Sequence, residues 1–486
     1  MSSDFTLIPG QGQPAAQGKP NLVLAAPATR VRLGARKMLR IKQGQDFVEM
    51  LAWSTVIAVV AMFLIDGALA RIVDVASFMG VFSRLTALVA TDLLLIHMLL
   101  IARVPWIDKL YGHDKATVAH KKLGKPVLYL AAAHFLASTI GFAMTDGKNL
   151  VDEYFNMLKS LPDMLTASIG LGLMIIVTIT SINAARKRLS YEVWYWIHFT
   201  AYAAVLAAIP HQFSFGSDIA GKPVQTGFWL VLYIFVAGNI VWYRFLQPIV
   251  MSFARGLRID NIVTEASDTV SVYVGGKRLE KLHYKAGQFF MLRVLTKAHW
   301  SKPHPFSVSA APNSRFVRFT IGNRGDFTSQ MPFLKKGARV ILEGPYGVFT
   351  EDRRSREKVV LIAAGIGVPP IRALAESMAA RPGEVTIIYR ARNNEDAALL
   401  SEVQEISRRR GFALHVMSGP RSHPQSWMPA SESQVADHVR LTQLAPWISE
   451  SDVFICGPGA WAKTVEKSLM RAGTPEAQIH SEEFAW

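Results

Sequence analysis

The chain divides by its pattern of apolar and polar positions. Between Phe47 and Leu246 long apolar runs recur, whereas the remainder mixes apolar and polar residues on a short period. Six runs are long enough to cross a bilayer as helices, because about 20 residues rising ~1.5 Å each span an apolar core about 30 Å thick. They fall at 47–66, 79–102, 119–143, 165–185, 193–211 and 226–246. From about Met251 to Asp352 the runs DTVSVYVGG, GQFFMLRV, RFVRFTIG and ARVILEGP are short, strand-like and separated by turn residues, which predicts a small antiparallel barrel. From Lys358 onward strand-like KVVLIAAG, VTIIYRA, FALHVMS and DVFICGP alternate with helix-like IRALAESMAA, ALLSEVQEISRRR and AKTVEKSLMRAG. That alternation predicts a doubly wound parallel α/β sheet. Residues 1–45 are polar and then basic, without the apolar core of a cleaved signal peptide, and read as a disordered cytoplasmic lead-in. The expected fold class is therefore multidomain: lead-in 1–45, six-helix transmembrane bundle 46–248, antiparallel β-barrel 249–352, and α/β doubly wound nucleotide-binding domain 353–486.

Charge sharpens the topology. Lys and Arg outnumber Asp and Glu by 53 to 37, for a net charge of +16. The basic residues crowd alternate connections between spans: the lead-in, then Lys109, Lys115, Lys121 and Lys122, then Arg186 and Arg188, and Arg244 and Arg255 after the last span. The intervening connections carry Asp66, Asp74, Asp146, Asp152, Asp163 and Asp218. Lys/Arg excess marks the cytoplasmic side. Both termini are expected in the cytoplasm, in an integral protein of the cell (plasma or inner) membrane whose immediate partner is lipid. No helix-turn-helix, finger or base-stacking motif accompanies the charge, which argues against nucleic acid. The single cysteine, Cys456, excludes an intramolecular disulfide, a cysteine-ligated iron–sulfur cluster from this chain alone, and a CxxCH haem attachment.

Ionisable groups inside a membrane are costly and usually functional. His120 and His134 lie 14 residues apart in the third span, and His198 and His211 lie 13 apart in the fifth. Each separation is roughly 20 Å along a helix. The charge topology pairs His120 with His198 toward the inside and His134 with His211 toward the outside. Two stacked haems, each held between the two helices, are the chemistry such pairs suggest. A step of 14 returns His134 to within about 40° of the face of His120, but a step of 13 leaves His211 roughly 140° from His198 on an ideal helix. A helix distorted at Pro210 is therefore expected. His97, in the second span, has no partner of matching depth and reads as a buried polar residue. Arg84 starts that span at the outer side, either snorkelling to the interface or presenting a cation to an anionic group.

Further along, His304-Pro305-Phe306-Ser307 resembles the flavin-binding HPF(S/T) motif of the NADPH oxidase and ferric reductase family, of bacterial type. The resemblance covers residues from about 47 to 486 and includes the histidine spacings. It implies that Tyr346 in GPYG and Phe327 in GDFTSQ belong to an FAD domain, with a pyrophosphate received near Thr328 and Ser329. It makes Gly365, Gly367 and Pro369 a nicotinamide-dinucleotide turn, and Cys456-Gly457-Pro458 the turn beside the nicotinamide. Arg390 and Arg392, after the strand VTIIY, suit a 2′-phosphate, which favours NADPH over NADH. By the same resemblance Phe484 near the C-terminus covers the flavin, with Glu482 nearby and Trp486 as the alternative cover. Arg84 then falls where the oxidases carry an arginine beside the outer haem. The chain departs from the family at Gly322, where a basic residue is common and Arg324 stands nearby, and at Ser138, where the oxidases often have a histidine.

The expected function is transmembrane electron transfer from cytosolic NADPH through FAD and two b-type haems. Dioxygen, giving superoxide, or a ferric chelate is the acceptor at the outer face. Electron delivery to a quinone or a partner protein is the alternative. A histidine-relay transporter with a nucleotide-binding regulatory domain is the alternative from another class. No EF-hand loop is present to suggest direct calcium gating, and the sequence identifies no regulatory subunit.

Overall fold

The computed structural model describes residues 35–483, so Phe484, Trp486 and the first 34 residues lie outside the described residues. The chain forms two compact units, with the boundary between Gln247 and Pro248.

The membrane unit has six candidate spans among the described residues. Helix α1 covers Ala35–Ile65, α2 Val75–Ile101, α3 His113–Asp146, α4 Met164–Ser181, α5 Tyr191–Ser214 and α6 Pro223–Asn239. Residues 35–45 of the expected lead-in are thus helical, a correction to the boundary. Polar caps start the helices where the apolar runs begin. Asp74 and Ser77 form a reciprocal capping box on α2, and Ser190 caps α5. Small residues let the helices approach. A Cβ on Gly141 of α3 would lie 3.3 Å from the Ala76 carbonyl of α2, and one on Gly170 of α4 only 2.7 Å from the Ala204 carbonyl of α5.

Two features differ from the sequence reading. Helix α5 continues through Pro210, so the chain neither ends nor unwinds the helix at that point. A proline inside a membrane helix forfeits one backbone bond, and neighbouring groups can compensate. The irregularity lies instead in the last span, where Ile240–Leu246 forms a π-helix after α6. Such segments are rare, and apolar pattern does not announce them.

The C-terminal unit opens with a short helix, Gln247–Ala254, whose Ser252 Oγ accepts a hydrogen bond from Leu342 N. Six strands follow: β1 Arg258–Ala266, β2 Thr269–Gly275, β3 Phe289–Val294, β4 His304–Ser307, β5 Val317–Gly322 and β6 Val340–Tyr346. They form two antiparallel three-stranded sheets, β1-β2-β5 and β4-β3-β6, joined by bridges at Val308↔Phe319 and Arg258↔Arg339. Alternate residues Phe290, Leu292 and Val294 of β3 fill the barrel interior.

The remaining strands, β7 Val359–Ala364, β8 Val385–Arg390, β9 Ala413–Met417, β10 Asp452–Gly457 and β11 Ile479–Glu483, form one parallel sheet in the order β11-β10-β7-β8-β9. Helices α7 Val368–Ser377, α8 Leu400–Arg410, α9 Asp437–Leu444 and α10 Gly459–Arg471 accompany it. The central strand β7 (VVLIAA) is apolar throughout, and β7, β8 and β10 are buried at every residue, as helices on both faces require.

A buried ion network joins barrel to sheet domain. Arg318 of β5 grips Glu402 of α8 with two bonds, of 2.9 and 3.0 Å. Arg372 of α7 bonds the same carboxylate at 2.8 Å and also pairs with Glu376. Glu376 in turn accepts from the backbone N–H of Ala311. Removing one partner of such a network strands the others without solvent. Glu402→Leu should therefore destabilise this unit by about 3–5 kcal/mol. In the detergent-solubilised full chain the melting temperature should fall on the order of 10 °C. An unchanged melting temperature would show that the network contributes nothing net.

Candidate functional site

In the membrane unit the four span histidines meet in pairs. The ring centroids of His120 and His198 are 6.1 Å apart, and those of His134 and His211 are also 6.1 Å apart. A metal–imidazole bond of about 2 Å on each side, plus about 1 Å from each nitrogen to its ring centre, makes roughly 6 Å. Each gap therefore admits one metal ion between two rings. The pairing expected from charge topology is the pairing the helices make, with α5 unbroken beneath His211.

The second nitrogen of every ring is already engaged. His134 Nδ1 faces the Ser83 carbonyl at 3.0 Å, His120 Nδ1 the His97 carbonyl at 3.0 Å, and His211 Nδ1 the Ala208 carbonyl at 3.3 Å. A carbonyl only accepts, so these nitrogens carry the protons. His198 Nδ1 lies 3.1 Å from Ser181 Oγ, whose single proton is given to the Val177 carbonyl, so the hydroxyl accepts here too. All four rings thus hold their lone pair on Nε2, the state a metal ligand requires. Among the described residues no group of three or more His, Cys, Asp or Glu is arranged to cage a bare metal ion.

The sequence reading missed the residues that set this state: Ser83, Ser181 and His97. The His97 ring stacks on His120 with centroids 3.6 Å apart, so the expectation that it stands alone is corrected. Its partner could be found only by knowing the register of α2 on α3. Arg84 is also corrected as a free cation. Its Nε pairs with the buried Asp218 at 3.2 Å, its Nη1 donates to Ser217 at 3.2 Å, and its guanidinium covers the Phe63 ring.

In the C-terminal unit β4 presents His304-Pro305-Phe306-Ser307 along β3, with Phe289 opposite Ser307. The His304 ring stacks on Phe327 at 3.9 Å, and Tyr346 lies 5.7 Å from Phe289. Ser307 Oγ is buried with no hydrogen-bond partner among the described residues. A buried hydroxyl left unmatched costs about 1–3 kcal/mol, which a ligand atom would recover. Thr328 and Ser329 behave otherwise than expected. They end a one-turn helix, Asp326–Ser329, rather than begin it. The Thr328 hydroxyl receives the N–H groups of Arg324 and Gly325, and the Ser329 hydroxyl donates to the Asp326 carbonyl. Arg324 pairs with Asp268 at the surface.

The glycine turns converge at the sheet's switch point. From β7 the chain proceeds to β8 and β9 on one side and returns to β10 and β11 on the other. Ligands of doubly wound sheets bind at the carboxyl ends of the strands flanking such a reversal. Gly365–Gly367 follows β7 there, and Cys456-Gly457-Pro458 ends β10. A Cβ on Gly367 would sit 2.1 Å from the Cys456 carbonyl, so glycine is required for the close approach. Gly365 has φ +51°, also suited to glycine. Pro369 and Pro370 lie buried in the first turn of α7, where a missing N–H is harmless. Glu482 pairs with Cys456 across β11 and β10, and its carboxylate lies beside Gly347 of the GPYG turn.

The two arginines expected at a 2′-phosphate separate. Arg390 is buried, and its guanidinium donates to the carbonyls of Trp427, Ala391, Met417 and Gly419. It holds a loop and is not free for a phosphate. Arg392 is exposed.

Family comparisons agree with this division. Residues 86–209 match the ferric reductase like transmembrane component, 255–350 an FAD-binding domain, and 361–467 an oxidoreductase NAD-binding domain. The chain has the NADPH oxidase and ferric reductase family architecture. In this ferric reductase-type chain His120, His134 and His198 fall inside the first matched segment, and Arg84 and His211 just outside it. Flavohemoprotein A of Dictyostelium discoideum is 22% identical over 249 residues, covering 47% of the chain and 60% of that protein. The ferredoxin reductase component of 3-ketosteroid-9-alpha-monooxygenase from Mycolicibacterium smegmatis is 26% identical over 238 residues, covering 47% and 65%. The chain thus spans less than two thirds of the length of these curated relatives. The FAD/NAD binding domain of nitric oxide dioxygenase from Vibrio cholerae aligns with TM-score 0.38 and 22% identity, covering 47% of the chain and 97% of that structure.

The family's cysteine turn has a specific character here. Burial, and then the nearby Glu482 carboxylate, pushes the Cys456 thiol well above its usual range. A raised pKa keeps the thiol protonated at neutral pH, and the thiol form is unreactive. Iodoacetamide should leave the native protein unmodified from pH 6 to 8 and label it once unfolded; rapid native labelling would contradict the burial.

Proposed function

We propose that this chain carries electrons across the membrane, from NADPH on the cytoplasmic side to dioxygen or a ferric chelate at the outer face. The observation that carries the reading is the pair of 6.1 Å imidazole gaps, with every Nδ1 proton fixed by a carbonyl or hydroxyl. Two b-type haems fit these gaps, one between His120 and His198 and one between His134 and His211. Bound FAD would supply conversion of a hydride into single electrons, and bound haems a one-electron relay.

The residues of the chain do the positioning. With two histidines from this chain holding each iron, a bound haem would have no open coordination site to offer, which favours an acceptor that does not bind the metal. Ser307, Phe306, Tyr346 and the β4 backbone would hold the flavin. Gly365, Gly367, Gly457 and Pro458 bring the backbone against a dinucleotide at the switch point, where the N-termini of α7 and α10 favour its phosphates. Both termini lie in the cytoplasm. Arg84, balanced by Asp218, orders the outer connection rather than offering a free positive charge to the acceptor.

The purified full chain should show a Soret band and flavin absorbance. His134→Ala and His211→Ala should each lose one haem and stop acceptor reduction, while NADPH-driven dye reduction continues. Absence of a Soret band, or both haems retained in either variant, overturns the reading. NADPH consumption compared with dioxygen, ferric citrate and a quinone identifies the acceptor. Arg392→Ala should raise KM for NADPH roughly ten- to hundredfold, as loss of a charged hydrogen bond does, and leave KM for NADH unchanged. Equal effects on both would remove Arg392 from 2′-phosphate recognition.

A further inference from the structure

Ser83 and His97 lie 14 residues apart on α2, as His120 and His134 do on α3. The two helices run antiparallel, so each α2 residue meets one α3 ligand. Ser83 offers its carbonyl to His134 Nδ1 at 3.0 Å, and its hydroxyl lies 2.9 Å from the same nitrogen. His97 offers its carbonyl to His120 Nδ1 at 3.0 Å, but its side chain does something different. It lays a ring on the ligand ring, centroids 3.6 Å apart and planes 20° from parallel. Space for this ring is built in. A Cβ on Gly124, one turn beyond His120, would already touch His97 Cε1 at 3.4 Å. The Nδ1 of His97 is buried and has no hydrogen-bond partner among the described residues, so the ring is not placed there to satisfy its own polarity.

We infer that His97 is the positioning residue of the inner iron ligand, fixing the plane of the His120 imidazole by stacking, and so makes the inner haem site distinct from the outer one. The inference rests on the haem reading above. The backbone acceptor fixes the ligand's tautomer whatever side chain stands at position 97. What the His97 ring adds is resistance to rotation of His120 about its Cβ–Cγ bond, and exclusion of water from its face. At the outer pair a serine hydroxyl supplies the corresponding restraint. Axial-ligand orientation and contacts beyond the ligands are the levers by which a protein tunes a haem.

The test uses the purified full chain, low-temperature electron paramagnetic resonance and an optical redox titration. The His134→Ala variant, lacking the outer haem, assigns the inner signal. His97→Leu and His97→Ser should shift the inner low-spin signal and the inner midpoint, with the outer signal unmoved and haem content retained. His97→Phe, which restores a stacking ring, should return the inner signal to near wild type. NADPH-driven transfer in His97→Leu should fall about tenfold, as loss of such supporting contacts does, with KM for NADPH unchanged. An unshifted inner signal in both His97→Leu and His97→Ser overturns the inference, as does an equal shift of both signals or failure of His97→Phe to rescue. Absence of low-spin haem in the wild type is a separate result, which removes the underlying haem reading as well.

Discussion

The arrangement depends on a hydrogen bond between an imidazole Nδ1–H and a helix carbonyl inside the membrane. A helix carbonyl retains a second lone pair after its own backbone bond, and in lipid no water competes for it. At Ser83, His97 and Ala208 that lone pair meets a histidine. One weak, local interaction therefore decides which nitrogen can bind metal. It also demands that α2 and α3 lie close and in one register, and glycines at the helix contacts permit this. The spacing of the ligands, the tautomers and the helix packing are three expressions of one constraint.

The C-terminal unit solves a different problem, bringing two ligand-binding loops from separate subdomains to one place. Gly322 is a point of contact between them, where a Cβ would lie 3.2 Å from Ile366, while Gly287 and Gly367 allow close approach within each subdomain, to the Phe349 and Cys456 carbonyls. Close approach needs a rigid support, and the Arg318–Glu402–Arg372–Glu376 network, with the buried hydroxyls of Ser271, Thr320 and Ser309, provides it. Buried charges fix a unique geometry because few other arrangements satisfy them all.

Much of this was legible in the sequence because the strongest signals are periodic. Apolar length located all six spans, and short-period runs located β2, β3, β5 and β6 and four of the five parallel strands, β7 to β10, while β1 and β11 were missed. The strand β4 was legible only through its motif, since four residues with a proline carry no period. The pairing of the four span histidines was legible by depth, because depth follows from residue count. Their supporting residues were not, since Ser83 and His97 acquire meaning only when α2 is set against α3. Pro210 lies inside a continuous helix because the compensation for a proline's missing bond is tertiary and leaves no trace in the local pattern. Arg390 misled because three of the carbonyls around it, those of Met417, Gly419 and Trp427, come from chain some 30 residues away.

That pair of arginines has an evolutionary consequence. Arg390 anchors the end of β9 and the loop after it through the carbonyls of Met417, Gly419 and Trp427, so a change there would disturb the fold. Two positions later Arg392 stands in solvent. Structural duty thus falls to Arg390, and on the reading proposed above cofactor discrimination would fall to Arg392, a surface position that a lineage could change at little risk to the sheet beneath.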